Sequence, residues 1–293
     1  MEVTEDLVKK RKSNTKLSSY INKTLTWLFL GIYTVFSLFS LFWMIIVSIK
    51  SRADIYKLDI IPFYQFTPTS ENWLNILSNE NFHRALINGI TVASLSALLA
   101  LLLGSLAGYG LARFQFKRWK NKDIATWILS QRMLPPVAVL IPFFLFMRAV
   151  NLIDTVFAII LAHVVFNLPL ATWLMLDFFR SIPVEVEEAS QVDGCSPLQT
   201  FFRIAAPMAL PGMAAVYALC FIFSWNELMF MVALSYDKAY TIPVLVASTL
   251  AFQQMEWWNL AVYVTISIIP PLILAITFEK YLIRALTLGA VKA

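Results

Sequence analysis

The sequence offers little reactive chemistry, because the residue types that react or bind metals are few. Of the 293 residues, two are cysteines and two are histidines, and these four lie far apart in the chain. We therefore expect no disulfide and no metal site. No Gly-x-x-x-x-Gly-Lys-Ser/Thr phosphate loop occurs, so the chain is not expected to hydrolyse ATP by itself. We predict no catalytic residue and no cofactor on this chain, and any work it does must draw energy from a partner or from an ion gradient.

Polar side chains inside long apolar stretches are the next candidates for functional residues. Each such group costs about 3 kcal/mol at the centre of a bilayer unless it faces protein or water. Asn167, and the run Trp225, Asn226 and Glu227, are predicted to line a substrate path. Hydrogen bonding between helices remains an open alternative, and for His163 it is at least as good an explanation.

A polar segment, residues 181–207, carries the most specific pattern and predicts two short helices. Pro183 suits the first turn of a helix, where a missing N–H costs nothing. Asp193 and Gly194 suit the end of that helix and a sharp turn. Negative side chains near the start suit the positive end of the helix dipole; they are Glu185, Glu187 and Glu188.

The second short helix has its own start signal. Ser196 can cap it, Pro197 can take its first position, and Gln199 stands where a capping box requires it. A solvated hairpin that merely links two spans is one interpretation of the segment. A helix-turn-helix that binds DNA is excluded by charge, because the segment has three glutamates and one aspartate but only one cation, Arg203, and contact with phosphates needs cations.

Composition indicates that the elements positioning these residues are membrane helices. The chain is 59% hydrophobic and 14% charged, with a mean hydropathy of +0.70, against about 45–50% and about 25% in soluble domains. The apolar runs are continuous, which favours helices over strands. Six stretches are long enough to cross a bilayer; they are Leu25–Ile49, Leu86–Ala112, Ile124–Arg148, Val156–Leu176, Met208–Leu234 and Leu260–Ile283.

Basic residues fall mainly on one predicted side of the membrane. They are Lys9, Lys10, Arg11, Lys12, Lys16 and Lys23 before the first span, and Arg113, Lys117, Arg118, Lys120 and Lys122 after the second. The positive-inside rule makes that side cytoplasmic, so both termini and the 181–207 loop are predicted to be cytoplasmic. The bias is strong but has exceptions on the outward loop, which are Lys50, Arg52, Lys57 and Arg84. The net charge of +5 is explained by this topology, and we expect no nucleic-acid partner.

The spacing Glu-Ala-x, three residues, Gly, nine residues, Ile-x-x-Pro resembles the EAA loop of permease subunits in bacterial binding-protein-dependent ABC importers. Glu188, Ala189, Gly194, Ile204 and Pro207 carry the match. Ser190 stands where a second alanine is usual and Ala206 where leucine is usual, each a small loss of apolar contact. Other matching stretches are Gly108–Phe114, Met133–Pro136, Trp225–Glu227 and Leu288–Lys292.

The resemblance, which is closest to the maltose-transporter type, implies an all-α membrane protein. It would have a basic cytoplasmic segment at residues 1–24 and a six-span permease domain at 25–293. The loop at 181–207 would be the coupling helix that seats in a cleft of the ATPase subunit. The implied coupling residues, including two more from the same loop, are Glu187, Glu188, Ala189, Asp193, Gly194, Ile204 and Pro207.

The same resemblance implies a bacterial cytoplasmic (inner) membrane location and a sugar or polyol as substrate. The partners would be a second homologous permease, an ATPase dimer that holds ATP and Mg, an extracytoplasmic solute-binding protein, and membrane lipid. In the maltose type most sugar contacts can fall on the sister permease, so direct contact by this chain is left open. Two alternatives remain: an ion-gradient-driven secondary transporter centred on Glu227, and a membrane scaffold that transports nothing.

Overall fold

The computed structural model describes the backbone of residues 2–251 and 256–286, and the side chains of residues 22–250 and 256–283. The tail Leu288–Lys292 and the basic side chains of residues 9–16 lie outside the described residues. Within those ranges all the regular elements are helices. They are α1 Glu2–Ser48, α2 Glu71–Leu77, α3 Glu80–Arg113, α4 Asn121–Ser130, α5 Pro136–Ala149, α6 Val156–Arg180, α7 Val184–Val192, α8 Pro197–Thr200, α9 Ala206–Trp225, α10 Met229–Leu234, α11 Ile242–Ala251, α12 Trp257–Thr277 and α13 Glu279–Leu286.

Five helices of the described chain are long and apolar enough to cross a membrane. They are Asn22–Ser48, Glu80–Arg113, Val156–Arg180, Pro197–Trp225 and Trp257–Thr277. A sixth span is formed if the bent pair Asn121–Met133 and Pro136–Ala149 counts as one. The predicted all-helical architecture is thereby confirmed, with five apolar spans, or six when the bent pair is counted.

The third span differs from the predicted continuous helix Ile124–Arg148. Its two halves meet at an angle of 87°, so the stretch is a sharply bent pair of helices and not one continuous helix. Leu134 and Pro135 have extended backbones, with ψ of 131° and 124°, and Pro136 begins α5. Neither proline can donate a backbone hydrogen bond, so the helix ends and restarts in a new direction.

The fifth span also ends earlier than predicted. The expected helix Met208–Leu234 stops at Trp225, and α10 begins separately at Met229. The Glu227 carboxylate accepts the backbone N–H groups of Met229 at 2.9 Å and Phe230 at 3.1 Å. Because this side chain satisfies the free N–H groups at a helix start, it favours a new helix over continuation of the old one. Asn226 and Glu227 therefore lie in a break between helices.

The chain divides into two compact units, Met1–Trp73 with Trp257–Thr265, and Leu74–Glu256 with Ile266–Ala293. In the first unit, the Asn72 side chain donates to the carbonyls of Ser48 at 3.0 Å and Lys50 at 2.8 Å. The buried Lys50 ammonium donates to the Lys57 carbonyl and lies 5.1 Å from the ring centre of Trp43. These contacts fix the chain that follows α1.

The core of the second unit is built on α3, α6 and α9. Gly104 and Gly108 allow α3 to pack closely against α6. A Cβ on Gly104 would lie 2.7 Å from the Ala171 Cβ, and one on Gly108 would lie 2.7 Å from the Leu176 backbone nitrogen. No side chain larger than hydrogen fits there without movement of α6, so these glycines set the separation of the two helices.

At the start of α6, Asp154 organises the segment that follows α10. Its carboxylate accepts the backbone N–H groups of residues 236–239 at 3.0–3.3 Å. Burial by itself raises the pKa of Asp154, but these backbone N–H groups outweigh it and lower the pKa overall. Asn88 donates to the carbonyls of Lys238 and Tyr240. This segment, at the opposite end of α6 from residues 181–207, is therefore held from two sides.

Candidate functional site

The predicted coupling loop, residues 181–207 and called the coupling loop below, folds as its capping signals predict. Pro183 immediately precedes α7, one position before the predicted first turn. Asp193 ends α7, and Gly194 has φ of +89°, the left-handed conformation that glycine adopts at low cost. Ser196 and Gln199 form the predicted capping box, in which each side chain accepts the other residue's backbone N–H. The two short helices are thus specified locally.

The loop is anchored by a buried ion pair to the end of α3. The Arg113 guanidinium donates to Glu187 Oε1 through Nη2 at 2.7 Å and Nε at 3.0 Å, and also to the Ile182 carbonyl at 3.0 Å. The Tyr109 hydroxyl donates to Glu187 Oε2 at 2.8 Å. The side chains of Arg113 and Glu187 are only 10% and 2% exposed, so the pair is shielded from water on both sides.

Ser190 provides a second internal tie. Its hydroxyl donates to the Glu187 carbonyl at 2.8 Å and lies 2.9 Å from the hydroxyl of Thr200 in α8. Both side chains are buried. Ser190, which departs from the usual alanine, therefore faces inward and bonds across the hairpin, so it removes no apolar contact from the outer surface.

The outer surface of the loop mixes apolar and acidic side chains. Val192 is 88% exposed, Leu198 61% and Phe202 59%, and Glu188 and Ala189 beside them are exposed as well. Val192 lies in α7, whereas Leu198 and Phe202 lie in the first turns of the Pro197–Trp225 helix, at the end of that span. Exposed apolar side chains that stand among acidic ones are typical of a protein interaction site. Adjacent Glu187 and Glu188 thus have opposite orientations, one inward to Arg113 and one outward.

The two remaining predicted coupling residues lie where the loop enters the fifth span. Ile204 is half-buried in a π-helical turn, Phe201–Ala205, which leads into α9. Pro207 is exposed in the first turn of α9. Phe201 packs against Tyr109, with ring centres 5.0 Å apart, so the base of the loop is joined to α3 as well as to α9.

A second candidate site is a cavity of about 230 Å³ within the spans. Its wall comes from the bend between α4 and α5, and from α6, α9 and α10. Aromatic rings form much of it; they are Phe166, Phe223 and Phe230. The polar lining residues are Arg132, His163, Asn167, Ser224 and Glu227. The unexpected bend of the third span therefore helps to build this cavity, because it brings Arg132 and Pro136 into the wall.

Two ionisable groups in the cavity wall face each other. His163 Nε2 lies 3.3 Å from Glu227 Oε2, and the His163 side chain is only 2% exposed. Arg132 stacks over Phe223, with its guanidinium carbon 4.6 Å from the ring centre. Arg132 Nη1 and His163 Nδ1 are buried without a hydrogen-bond partner in the described part of the chain. Arg132 was not among the residues predicted to line a substrate path, although a cation within an apolar stretch is itself a signal of function.

Asn167 serves both the cavity and the helix packing. Its amide donates to the Ser224 hydroxyl at 2.8 Å and to the Cys220 carbonyl at 3.2 Å, and the Ser224 hydroxyl lies 2.8 Å from that of Ser96. These bonds tie α6 to α9 and α9 to α3. Asn167 thus forms hydrogen bonds between helices, which was the alternative role, and it also lines the cavity.

Trp225 and Asn226 are not brought into the cavity wall. Trp225 is 2% exposed and donates to the Ser267 carbonyl at 2.9 Å. The Asn226 amide donates back to the Ile222 carbonyl at 2.8 Å. Of the four predicted path residues, Asn167 and Glu227 therefore line this cavity.

Together these features define a polytopic membrane protein with a cavity among its helices and an anchored helical hairpin that leads into the fifth span. No cluster of potential metal ligands occurs among the described residues. The arrangement suits binding and movement of a solute.

Comparison with known proteins agrees with this class. The family described as binding-protein-dependent transport system inner membrane component matches residues 100–287. The sulfoquinovosyl glycerol transport system permease protein SmoH of Agrobacterium fabrum is 31% identical, over 94% of this chain and 96% of its own length. The trehalose transport system permease protein SugB of Mycobacterium tuberculosis is 32% identical, over 88% and 93%.

Among solved structures, a bacterial ABC transporter that imports the acidic polysaccharide alginate has a chain with the same fold. The TM-score is 0.73 at 24% sequence identity, covering 90% of this chain and 97% of that one. The chain described here belongs to the binding-protein-dependent transport system inner membrane component family, and it is a permease component of that kind. The ion-gradient alternative is accordingly not favoured.

Proposed function

We propose that this chain is one of two permease subunits of an ABC importer for a carbohydrate. Two relatives that match this chain over nearly their full length are named as permeases for sulfoquinovosyl glycerol and for trehalose. Their names support a sugar or polyol substrate. A separate ATPase dimer holds ATP and Mg, and an extracytoplasmic binding protein delivers the solute. Both termini and the coupling loop are on the cytoplasmic side of the bacterial inner membrane, as the basic residues favour.

The observation that carries the proposal is the two-sided construction of the coupling loop. Its inner face is held by Glu187 against Arg113, whereas its outer face presents Val192, Leu198 and Phe202 with Glu188. A docking element has to be stiff toward its own subunit and open toward its partner, because movement of the partner is otherwise absorbed by the loop. Glu188, Ala189 and their neighbours therefore contact the ATPase.

Movement of the ATPase would reach the spans along three connections. The Glu187–Arg113 pair leads to α3, the Ser190–Thr200 bond joins the two short helices, and the helical run from α8 continues into α9. With ATP-driven closure of the ATPase, the spans would alternate between inward-open and outward-open states around a central path.

The test is a cysteine crosslink from the loop to a co-expressed candidate ATPase. Cys195 in the same loop is partly exposed, so the background is Cys195→Ser. Ala189→Cys, which is exposed, should form the crosslink and thereby stop substrate-stimulated ATP hydrolysis. Ser190→Cys is the matched control, because its side chain is buried and should not react.

Two outcomes would contradict the proposal. One is a failure of Ala189→Cys to crosslink to any ATPase that co-purifies with the chain, and the other is uptake that persists without ATP. Uptake without ATP would also favour the ion-gradient mechanism, in which Glu227 is the central residue.

A further inference from the structure

The cavity within the spans has the composition of a binding site for a polar solute. Drug-sized sites occupy about 300–1,000 Å³ and combine apolar walls with a few polar groups. At about 230 Å³, this cavity has room for one ring-sized group. Three phenylalanine rings supply apolar walls, and five polar side chains supply donors and acceptors.

Some hydrogen-bonding groups of the cavity wall are bonded to other parts of the protein, and others are free to bond to a solute. The Glu227 carboxylate is held by two backbone N–H groups and faces His163. The Asn167 amide nitrogen is committed to Ser224 and Cys220, which fixes the side chain and leaves its oxygen without a hydrogen bond from the described residues. The wall thus holds its polar groups in fixed positions before any solute arrives.

Arg132 is the group whose bonding is least complete. It stacks on Phe223, has Nη1 buried and unpaired, and forms no ion pair with a carboxylate in the described residues. A half-buried guanidinium in a spanning segment is costly, and a solute that accepts its hydrogen bond lowers that cost. Together with the Asn167 oxygen, Arg132 offers both a donor and an acceptor to one bound group.

We propose that this cavity binds a single sugar ring of the transported solute, with Arg132 donating to ring hydroxyls and Asn167 accepting from them. A pyranose ring has two apolar C–H faces and a rim of hydroxyls, which match the phenylalanine walls and the polar groups between them. The proposal rests on the carbohydrate function above and adds that this permease subunit itself contacts the solute. A longer saccharide passes through the cavity one ring at a time.

The test uses the full complex with its ATPase and binding protein in proteoliposomes, and it measures sugar uptake and ATP hydrolysis together. Arg132→Gln removes the guanidinium at similar length. Arg148→Gln is the matched control, because Arg148 is exposed on α5 and is not in the cavity wall. The probes are trehalose, which is neutral, and an alginate oligosaccharide, which is acidic.

Loss of a hydrogen bond to a charged group changes binding by about tenfold or more. We expect Arg132→Gln to lower the amount of sugar transported per ATP by about tenfold for each probe that the wild type carries. ATP hydrolysis stimulated by the loaded binding protein should stay close to wild type, because the coupling loop is untouched. Arg148→Gln should leave both quantities unchanged.

Several results would overturn the proposal. An unchanged transport-to-ATP ratio in Arg132→Gln would show that Arg132 does not hold the sugar during transport. A loss confined to the alginate probe would show that Arg132 recognises a carboxylate and not ring hydroxyls. Loss of the stimulated hydrolysis itself would place Arg132 in coupling. If the wild-type complex hydrolyses ATP but carries neither probe nor any other sugar that its binding protein binds, the carbohydrate function fails, and the cavity proposal fails with it.

Discussion

Replacement of Glu187 by glutamine tests how the coupling loop is held. The substitution keeps the size of the side chain but removes the charge that faces Arg113. Arg113 would retain its bond to the Ile182 carbonyl, while its guanidinium, 10% exposed, would lose its anionic partner. The perturbation thus leaves a buried cation without a counterion, and α7 should open from α3 more often.

The size of the effect follows from the burial of the pair. Breaking a buried pair by removing one partner costs about 3–5 kcal/mol. The lower end applies here, because the glutamine oxygen can still accept one hydrogen bond and Arg113 keeps its bond to Ile182. A cost of about 3 kcal/mol corresponds to roughly 100-fold more frequent local opening. Glu188→Gln, on the exposed side of the same helix, should change the opening free energy by less than about 0.5 kcal/mol.

Hydrogen exchange of the α7 backbone amides in the assembled complex measures this opening directly. Glu187→Gln should accelerate the exchange of residues 187–192, whereas Glu188→Gln should leave it near wild type. A cycle with Arg113→Gln separates the pair from its surroundings: the double variant should lose at least about 1 kcal/mol less than the sum of the single variants. Additive losses, or equal exchange in the two glutamine variants, would refute the assignment of Glu187 as the anchor.

Three further predictions concern the elements around the sites. Gly108→Ala should lower the thermal inactivation temperature of the complex, because its Cβ would lie 2.7 Å from the Leu176 nitrogen. Gly110→Ala should not, because beyond its chain neighbours and its own helix backbone nothing lies within 4 Å of its Cβ. Asp154→Asn should speed hydrogen exchange at residues 236–239 about tenfold through the loss of charge-assisted bonds. Because the native pKa of Asp154 is lowered, the stabilisation of residues 236–239 by its carboxylate should be present at neutral pH and lost as the pH falls through that lowered value. Equal exchange at neutral pH in wild type and Asp154→Asn would contradict this. Ser196→Ala should destabilise the start of α8 by about 1 kcal/mol and Ser196→Gly by only a few tenths, as measured by exchange at Gln199; equal losses would show that the capping box contributes little.

The features that the sequence predicted well are those decided by neighbouring residues. Apolar length locates the spans because the bilayer requires it of each span separately. The caps of α7 and α8 were identified because Gly194, Ser196 and Gln199 act on backbone groups within three residues of themselves. Pro135 and Pro136 are likewise a local signal for the break at residues 134–136, because a proline acts on the helix that contains it.

The features that the sequence missed depend on distant partners. Pro135 and Pro136 indicate that a helix stops there, but the direction in which α5 leaves, at 87° to the preceding helix, is set by the helices against which each half packs. The cavity was missed for the same reason, since its wall joins residue 132 to residues 163–167 and 223–230. Its two predicted members, Asn167 and Glu227, were identified because polar groups in apolar stretches are conspicuous one at a time.

The difference between Glu187 and Glu188 shows why local pattern is insufficient within the coupling loop. Both are acidic, both lie near the start of α7, and the local dipole argument treats them alike. Which one turns inward is decided by Arg113, 74 residues earlier in the chain. Burial then separates their roles: the inward carboxylate has all its bonding satisfied by its own subunit and fixes the helix, while the outward one keeps its charge available to a partner. A loop built in this way can transmit displacement, because force applied at the exposed face meets a bonded connection to α3 instead of a loose hinge.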